Sequence, residues 1–211
     1  MPRINLNVPY SEKDEAKGLG ARWDAKEKTW YIPDNLAPEP FQKWLRKEPE
    51  YNTRAKSYYI AKTIKTCWKC GQETPIFGFF LPKGFENKDC PPDDIYAPAI
   101  WMETDYETMI AFVEALPESV SRKISSLTKH YRLDYSKTTQ SEYWMNHCDK
   151  CGMKQGDFNI FEEPDEGFLI LYAEDAANIT LYEVQEPFEA SCGSHSIGID
   201  FFQIMKKIPL P

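Results

Sequence analysis

Cys67-Trp68-Lys69-Cys70-Gly71 and Cys148-Asp149-Lys150-Cys151-Gly152 decide how this chain is read. Two cysteines separated by two residues can turn both sulfurs onto one ion, and a following glycine permits the tight turn. Two such knuckles complete a tetrahedral set of four thiolates. Zinc suits that set, because it has no redox chemistry and accepts sulfur ligands. Four protein ligands leave no open position for a substrate, so Cys67, Cys70, Cys148 and Cys151 are expected to hold one structural Zn2+ ion. Residues 71–147 lie between the knuckles, whereas a simple zinc ribbon has about 15–20 residues there. The ion therefore ties distant parts of the chain together. The competing reading is a set of reduced free thiols, or one redox pair.

The composition around this motif is that of a folded chain. Of the 211 residues, 42% are hydrophobic and 14% aromatic, which is enough to bury a core. No stretch approaches the roughly 20 apolar residues that span a bilayer. Met1-Pro2-Arg3-Ile4-Asn5 lacks the apolar core of a signal peptide. A cytoplasmic protein with no membrane partner is the expectation, and there six cysteines speak for metal rather than disulfides. The net charge is −8, from 33 acidic and 25 basic residues. That balance counts against a protein whose affinity comes from neutralising phosphate, and favours a basic protein partner such as a nuclease.

Two domains are expected, residues 1–50 and 57–211. In the first, Ile4, Leu6 and Val8 alternate with Asn5 and Asn7 as in a half-buried strand. Ser11-Glu12-Lys13-Asp14 is a capping-box pattern that opens a short helix ending at Gly18 or Gly20. Arg22-Trp23-Asp24 and Thr29-Trp30-Tyr31-Ile32 read as a hairpin around a polar turn. Pro38 and Pro40 open a helix that places Phe41, Trp44 and Leu45 on one face. Residues 46–56 read as a linker. In the second domain, Tyr58-Tyr59-Ile60 leads into the first knuckle and residues 75–81 form an apolar strand. Residues 82–99 read as a loop. Met109, Ile110, Phe112, Val113 and Leu116, then Val120, Ile124 and Leu127, follow helical spacing. Residues 158–204 read mainly as strands, so the whole is an α+β protein: a small N-terminal module, and a zinc-clamped domain with a helical insertion and a C-terminal antiparallel sheet.

Few other residues point to chemistry. Cys192-Gly193-Ser194-His195 offers a thiol near an imidazole, but no third group orients a proton transfer. A buried cysteine in a strand-end turn is the plainer reading. Cys90, Cys192 and His195 are a weaker candidate for a second metal site. His147 precedes a ligand and is read as capping the knuckle, and His130 as a helix-end residue. There is no phosphate-binding glycine loop and no metalloprotease helix motif, so no enzyme is expected. Arg22, Trp23, Lys28 and Trp30 interleave aromatics with cations, as surfaces that stack bases and contact phosphate do. Against that, a unit of about 50 residues needs its tryptophans as core.

Ile4-Asn5-Leu6-Asn7-Val8-Pro9-Tyr10, Lys13-Asp14-Glu15-Ala16-Lys17, Leu19-Gly20-Ala21-Arg22-Trp23-Asp24 and Thr29-Trp30-Tyr31-Ile32-Pro33 resemble a small bacterial domain. That domain accompanies conjugative-plasmid primases and antirestriction proteins. The resemblance covers about the first 35 residues, and it implies a setting of mobile DNA and genetic conflict rather than a reaction. The two knuckles, the second with Tyr143-Trp144-Met145-Asn146-His147 before it, resemble an uncharacterised bacterial family with zinc-ribbon-like cysteine pairs. The expectation is a non-enzymatic interaction protein that neutralises a toxin or nuclease, as an immunity protein or antitoxin does. The alternative is a nucleic-acid-binding accessory protein of a mobile element or DNA-conflict system.

Overall fold

A computed structural model describes residues 4–45, 49–90, 96–163, 167–196 and 201–211. The chain divides into two units, Met1–Pro49 and Glu50–Pro211.

Among its described residues the first unit has a three-stranded sheet, one α-helix and two 3-10 segments. β1 (Ile4–Leu6), α1 (Lys13–Gly18), β2 (Arg22–Asp24) and β3 (Thr29–Ile32) follow in order, and β3 pairs antiparallel with both other strands. Its core is Leu6, Ala16, Ala21, Ile32, Phe41 and Trp44. Phe41 and Trp44 come from a 3-10 helix, Glu39–Trp44, which starts beside proline as its locked φ favours. The indole of Trp44 donates to Glu12 Oε2 at 2.6 Å, which satisfies its one polar atom. Ser11 is not the helix cap. It lies inside a 3-10 turn, Tyr10–Glu12, that runs straight into α1 without a side-chain cap. Gly20 ends this segment with φ +103°, a conformation open to glycine at little cost.

The second unit is built on a 12-stranded sheet. In chain order come β4 (Thr53–Ala55), β5 (Tyr58–Thr66), β6 (Glu73–Leu81), β7 (Glu86–Asp89), β8 (Ile100–Glu103), β9 (Thr108–Ala115) and α2 (Glu118–Leu127). They are followed by β10 (Tyr131–Ser136), β11 (Ser141–His147), β12 (Lys154–Gln155), α3 (Asp157–Phe161), α4 (Ala173–Ala177), β13 (Thr180–Val184), β14 (Phe188–His195) and β15 (Lys206–Pro209). The main path of neighbours is β15-β13-β5-β6-β9-β14-β4-β7-β8, with β10, β11 and β12 branching off through β11 against β9. One apolar cluster, around Ile60, Phe79, Leu81, Phe85, Ile110 and Phe188, includes Val120 and Ile124 of α2. A second cluster joins Ala61, Ile76, Phe80 and Met109 to Ile160, Phe168 and Leu181.

Several sequence expectations change here. Residues 109–115 are not helical: they belong to β9, flanked by β6 and β14 and buried on both faces from Thr108 to Ala111. A strand covered on both sides has no alternation to show, so its apolar run imitates one side of a helix. Val120, Ile124 and Leu127 do lie on a helix, so among the described residues the segment between the knuckles is mostly sheet with one helix, not a helical insertion. The expected linker contains β4, whose Thr53 is fully buried, and its residues 46–48 lie outside the described residues. The expected loop 82–99 contains β7, and its residues 91–95 likewise lie outside. Residues 158–204 carry α3 and α4 as well as β13 and β14.

Candidate metal centre

Each knuckle is the turn of a hairpin. Cys67 follows β5 and Cys70 precedes β6; Cys148 follows β11 and Cys151 precedes β12. The two turns fold alike. Gly71 N donates to Cys67 O and Cys67 N to Gln72 O, each at 2.9 Å. In the second knuckle Gly152 N donates to Cys148 O at 2.9 Å and Cys148 N to Met153 O at 2.8 Å. Gly71 and Gly152 have φ of +70° and +71°, and a Cβ at either would meet no atom within 4 Å. The glycines are therefore required by the left-handed backbone and not by crowding.

The four sulfurs lie within 4.8 Å of one another. Cys67 Sγ is 3.8 Å from Cys151 Sγ, and Cys70 Sγ is 3.7 Å from Cys148 Sγ. A tetrahedral ion with metal–sulfur bonds of about 2.3 Å sets its sulfurs about 3.8 Å apart, so the set fits a thiolate-bound metal ion. Burial pushes the Cys67 thiol up, but the backbone amides of Cys70 and Lys69 outweigh it and bring it down to about 6. Cys148 is lowered in the same way, burial being outweighed by the amides of Cys151 and Lys150. The Met153 amide lowers Cys151, but burial and the sulfurs of Cys70, Cys148 and Cys67 outweigh it and push that thiol up to about 12, so the N–H donors favour the thiolate at Cys67 and Cys148. Gln155, fully buried, adds a further N–H at 3.2 Å from Cys67 Sγ.

Protein contacts also tie the two knuckles. Trp68 Nε1 donates to Lys154 O at 2.8 Å, and Asp149 N donates to Thr74 Oγ1 at 3.0 Å. His147 does not cap either turn. Its ring is buried, with Nε2 3.0 Å from Asp134 Oδ2 and Nδ1 3.1 Å from Met145 O. Lys154 and then His147 hold the Asp134 carboxyl far below the usual carboxylate range. His130 lies between α2 and β10, where its carbonyl accepts His147 N at 2.7 Å.

The thiol and imidazole of Cys192 and His195 do meet, at 3.6 Å, but Thr53 stands with them: its Oγ1 is 3.2 Å from Cys192 Sγ and 3.1 Å from His195 Nε2. Burial pushes the Cys192 thiol up to about 11, and burial lowers the His195 imidazole. Both partners are held neutral, the reverse of an activated nucleophile. Sequence reading missed Thr53, because it sits in a stretch that looks like a linker. Among the described residues Cys90 forms no ligand group with Cys192 and His195.

In the first unit Trp23 and Trp30 face each other across β2 and β3, ring centroids 5.7 Å apart, with Trp23 51% exposed. Trp30 is half-buried against the core. Strand alternation puts Arg22, paired with Tyr31, on the opposite face of the sheet. Lys28 is exposed in the hairpin turn, with φ +48°. The four candidate nucleic-acid contacts are thus split: a tryptophan pair on one face, Arg22 on the other, Lys28 at the turn.

Comparison places the first unit. Residues 3–46 match a domain of unknown function (DUF5710). A 44-residue stretch, 21% of this chain, is 59% identical to part of a protein named DNA primase TraC from Escherichia coli, covering 4% of it. A second Escherichia coli protein of that name matches over the same length at 59%, with 3% of it covered. The chain thus spans only a small fraction of these relatives. No solved structure matches it. No helix among the described residues is long and apolar enough to cross a membrane. An open hollow of about 350 Å³ in the second unit mixes Lys65 with Glu73 and Asp175.

Proposed function

We propose that this protein is a non-enzymatic accessory protein that binds single-stranded nucleic acid through its N-terminal unit, while one zinc ion stiffens the other unit. The observation that carries the reading is Trp23. A small domain with few large residues would be expected to bury its tryptophans, yet Trp23 stays 51% exposed, stacked at an angle on Trp30. An exposed indole beside a lysine-bearing turn is the kind of surface that stacks bases and meets phosphate. The same segment recurs in proteins named DNA primase, which supports a role near DNA. Four thiolates make a closed site, and zinc there has a structural role.

The test is retention of single-stranded DNA or RNA in a gel shift at low salt, with affinity falling steeply as salt rises. No retained strand at low salt overturns the reading. A second reading, neutralisation of a basic toxin or nuclease, is favoured by the net charge of −8. It predicts a protein partner that co-purifies from cells carrying the neighbouring genes, and recovery of none counts against it.

A further inference from the structure

We propose that the metal clamp carries a second single-strand site, with Trp68 as a base-stacking platform and Lys69 as its phosphate contact. This rests on the single-strand reading given above, but it is carried by different residues in the other unit.

Trp68 lies inside the first knuckle, between Cys67 and Cys70, and is 58% exposed. The chain can bury an indole elsewhere: Trp44 is 2% exposed. Exposure of Trp68 is not a search for water by its N–H either, since Nε1 donates to Lys154 O at 2.8 Å. That bond reaches across to the strand leaving the second knuckle. The ring is therefore oriented by both turns while its apolar surface stays open. A side chain fixed before binding loses little rotamer freedom on stacking. Every base offers a π-face to such a ring, whatever the sequence.

The surrounding charges favour a nucleic acid over a protein. Lys69 is exposed and has no ion-pair partner among the described residues. Its counterpart in the second knuckle, Lys150, is held by Asp149 at 3.0 Å, and Lys154 is held by Asp134 at 2.8 Å. Asp149 and Asp134 thus already have lysine partners, whereas Lys69 has none among the described residues to compete with phosphate. The cores of protein–protein interfaces are depleted in lysine, and here each knuckle carries one, Lys69 and Lys150.

The test uses the full-length, metal-loaded protein and a fluorescent oligodeoxythymidylate of about twenty nucleotides, read by anisotropy at low salt. Trp68→Ala is expected to weaken binding roughly ten-fold or more, and Trp68→Phe to retain most of it. Lys69→Glu should weaken binding and flatten its salt dependence, with metal content per chain unchanged in all three. Parent-like binding by both Trp68→Ala and Lys69→Glu overturns the proposal. So does a parent that ignores the strand while Trp68 anchors a protein partner. Trp23→Ala separates the two sites: loss there with none at Trp68 leaves only the N-terminal reading, and the converse leaves only this one.

Discussion

The side-chain amide of Asn146 grips the main chain of Phe77 at both polar groups, Phe77 N donating to Oδ1 and Nδ2 donating to Phe77 O, each at 2.8 Å. The position explains the grip. β9 pairs with β6 through Thr108–Ile110 and with β11 at Val113, so the sheet forks between these strands. Phe77 lies two residues before the first β6–β9 pair, at Phe79, and Asn146 stands in for a strand partner there. Two further irregularities are closed in the same way. Asn52 exchanges two hydrogen bonds with the backbone of Cys192, where the β14–β9 register shifts. Asp157 accepts the N–H of Phe112, whose φ is +52°, just before Val113.

Removing the grip should be expensive. Asn146→Ala leaves an N–H and a C=O of Phe77 unpaired in the interior, at about 1–3 kcal/mol each. A loss on the order of 3 kcal/mol is expected in urea unfolding. A loss below about 1 kcal/mol would mean that the fork is held elsewhere.

The four cysteines give a second measurement. Purified protein should carry one zinc ion per chain by elemental analysis, and a strong chelator should lower the unfolding midpoint of the second unit. Cys148→Ser removes a buried ligand at the end of β11. It should cost several kcal/mol, because metal affinity in such sites is folding free energy. Trp68–Lys154 and Asp149–Thr74 tie the knuckles without metal, so the expected result is a weakened unit and not an unfolded one. Protein isolated without any bound metal would refute the assignment.

How much of this was legible in the sequence depends on whether the signal is local. Both knuckles are local, and the Cys-x-x-Cys-Gly spacing pointed to the four sulfurs that meet. The β2–β3 hairpin and the buried Phe41 and Trp44 were legible for the same reason. β9 was not, because a strand covered on both faces loses the period that identifies a strand. Thr53 was not, because the burial of a single threonine is set by β14 and β7, far away in sequence. The division of Arg22 from Trp23 follows from strand alternation, which the hairpin reading already contained.

Cys192 supplies a test of reactivity. Burial holds its thiol at about 11, so near pH 7 its thiolate fraction is smaller than that of an ordinary cysteine by about a hundredfold or more. In folded, metal-loaded protein, iodoacetamide should leave Cys192 unmodified over times that fully label a denatured control. Mass spectrometry of the tryptic peptide reads the outcome directly. Rapid labelling of Cys192 would revive the thiol-enzyme reading set aside above.

Asp157 gives a prediction in pH. Its carboxyl is 2% exposed, and Oδ1 has no hydrogen-bond partner among the described residues. Burial pushes it up to about 7, with the Phe112 amide opposing. The groups near it, Tyr131 and Tyr143, are themselves raised, first by burial and then by Asp157, and bring no positive charge. A folded value above the unfolded one, near 4, means that the folded state holds this proton more tightly. The resulting stability is fully present below about pH 4 and is lost as pH rises through about 7. Asp157→Asn keeps an acceptor for Phe112 N and cannot ionise. The stability difference between parent and variant should therefore swing towards the variant by on the order of 3 kcal/mol from about pH 4 to pH 8. Urea midpoints for both proteins across that range decide it: converging or crossing profiles fit a carboxyl that resists ionisation, and parallel profiles would show that Asp157 titrates as an ordinary surface acid does.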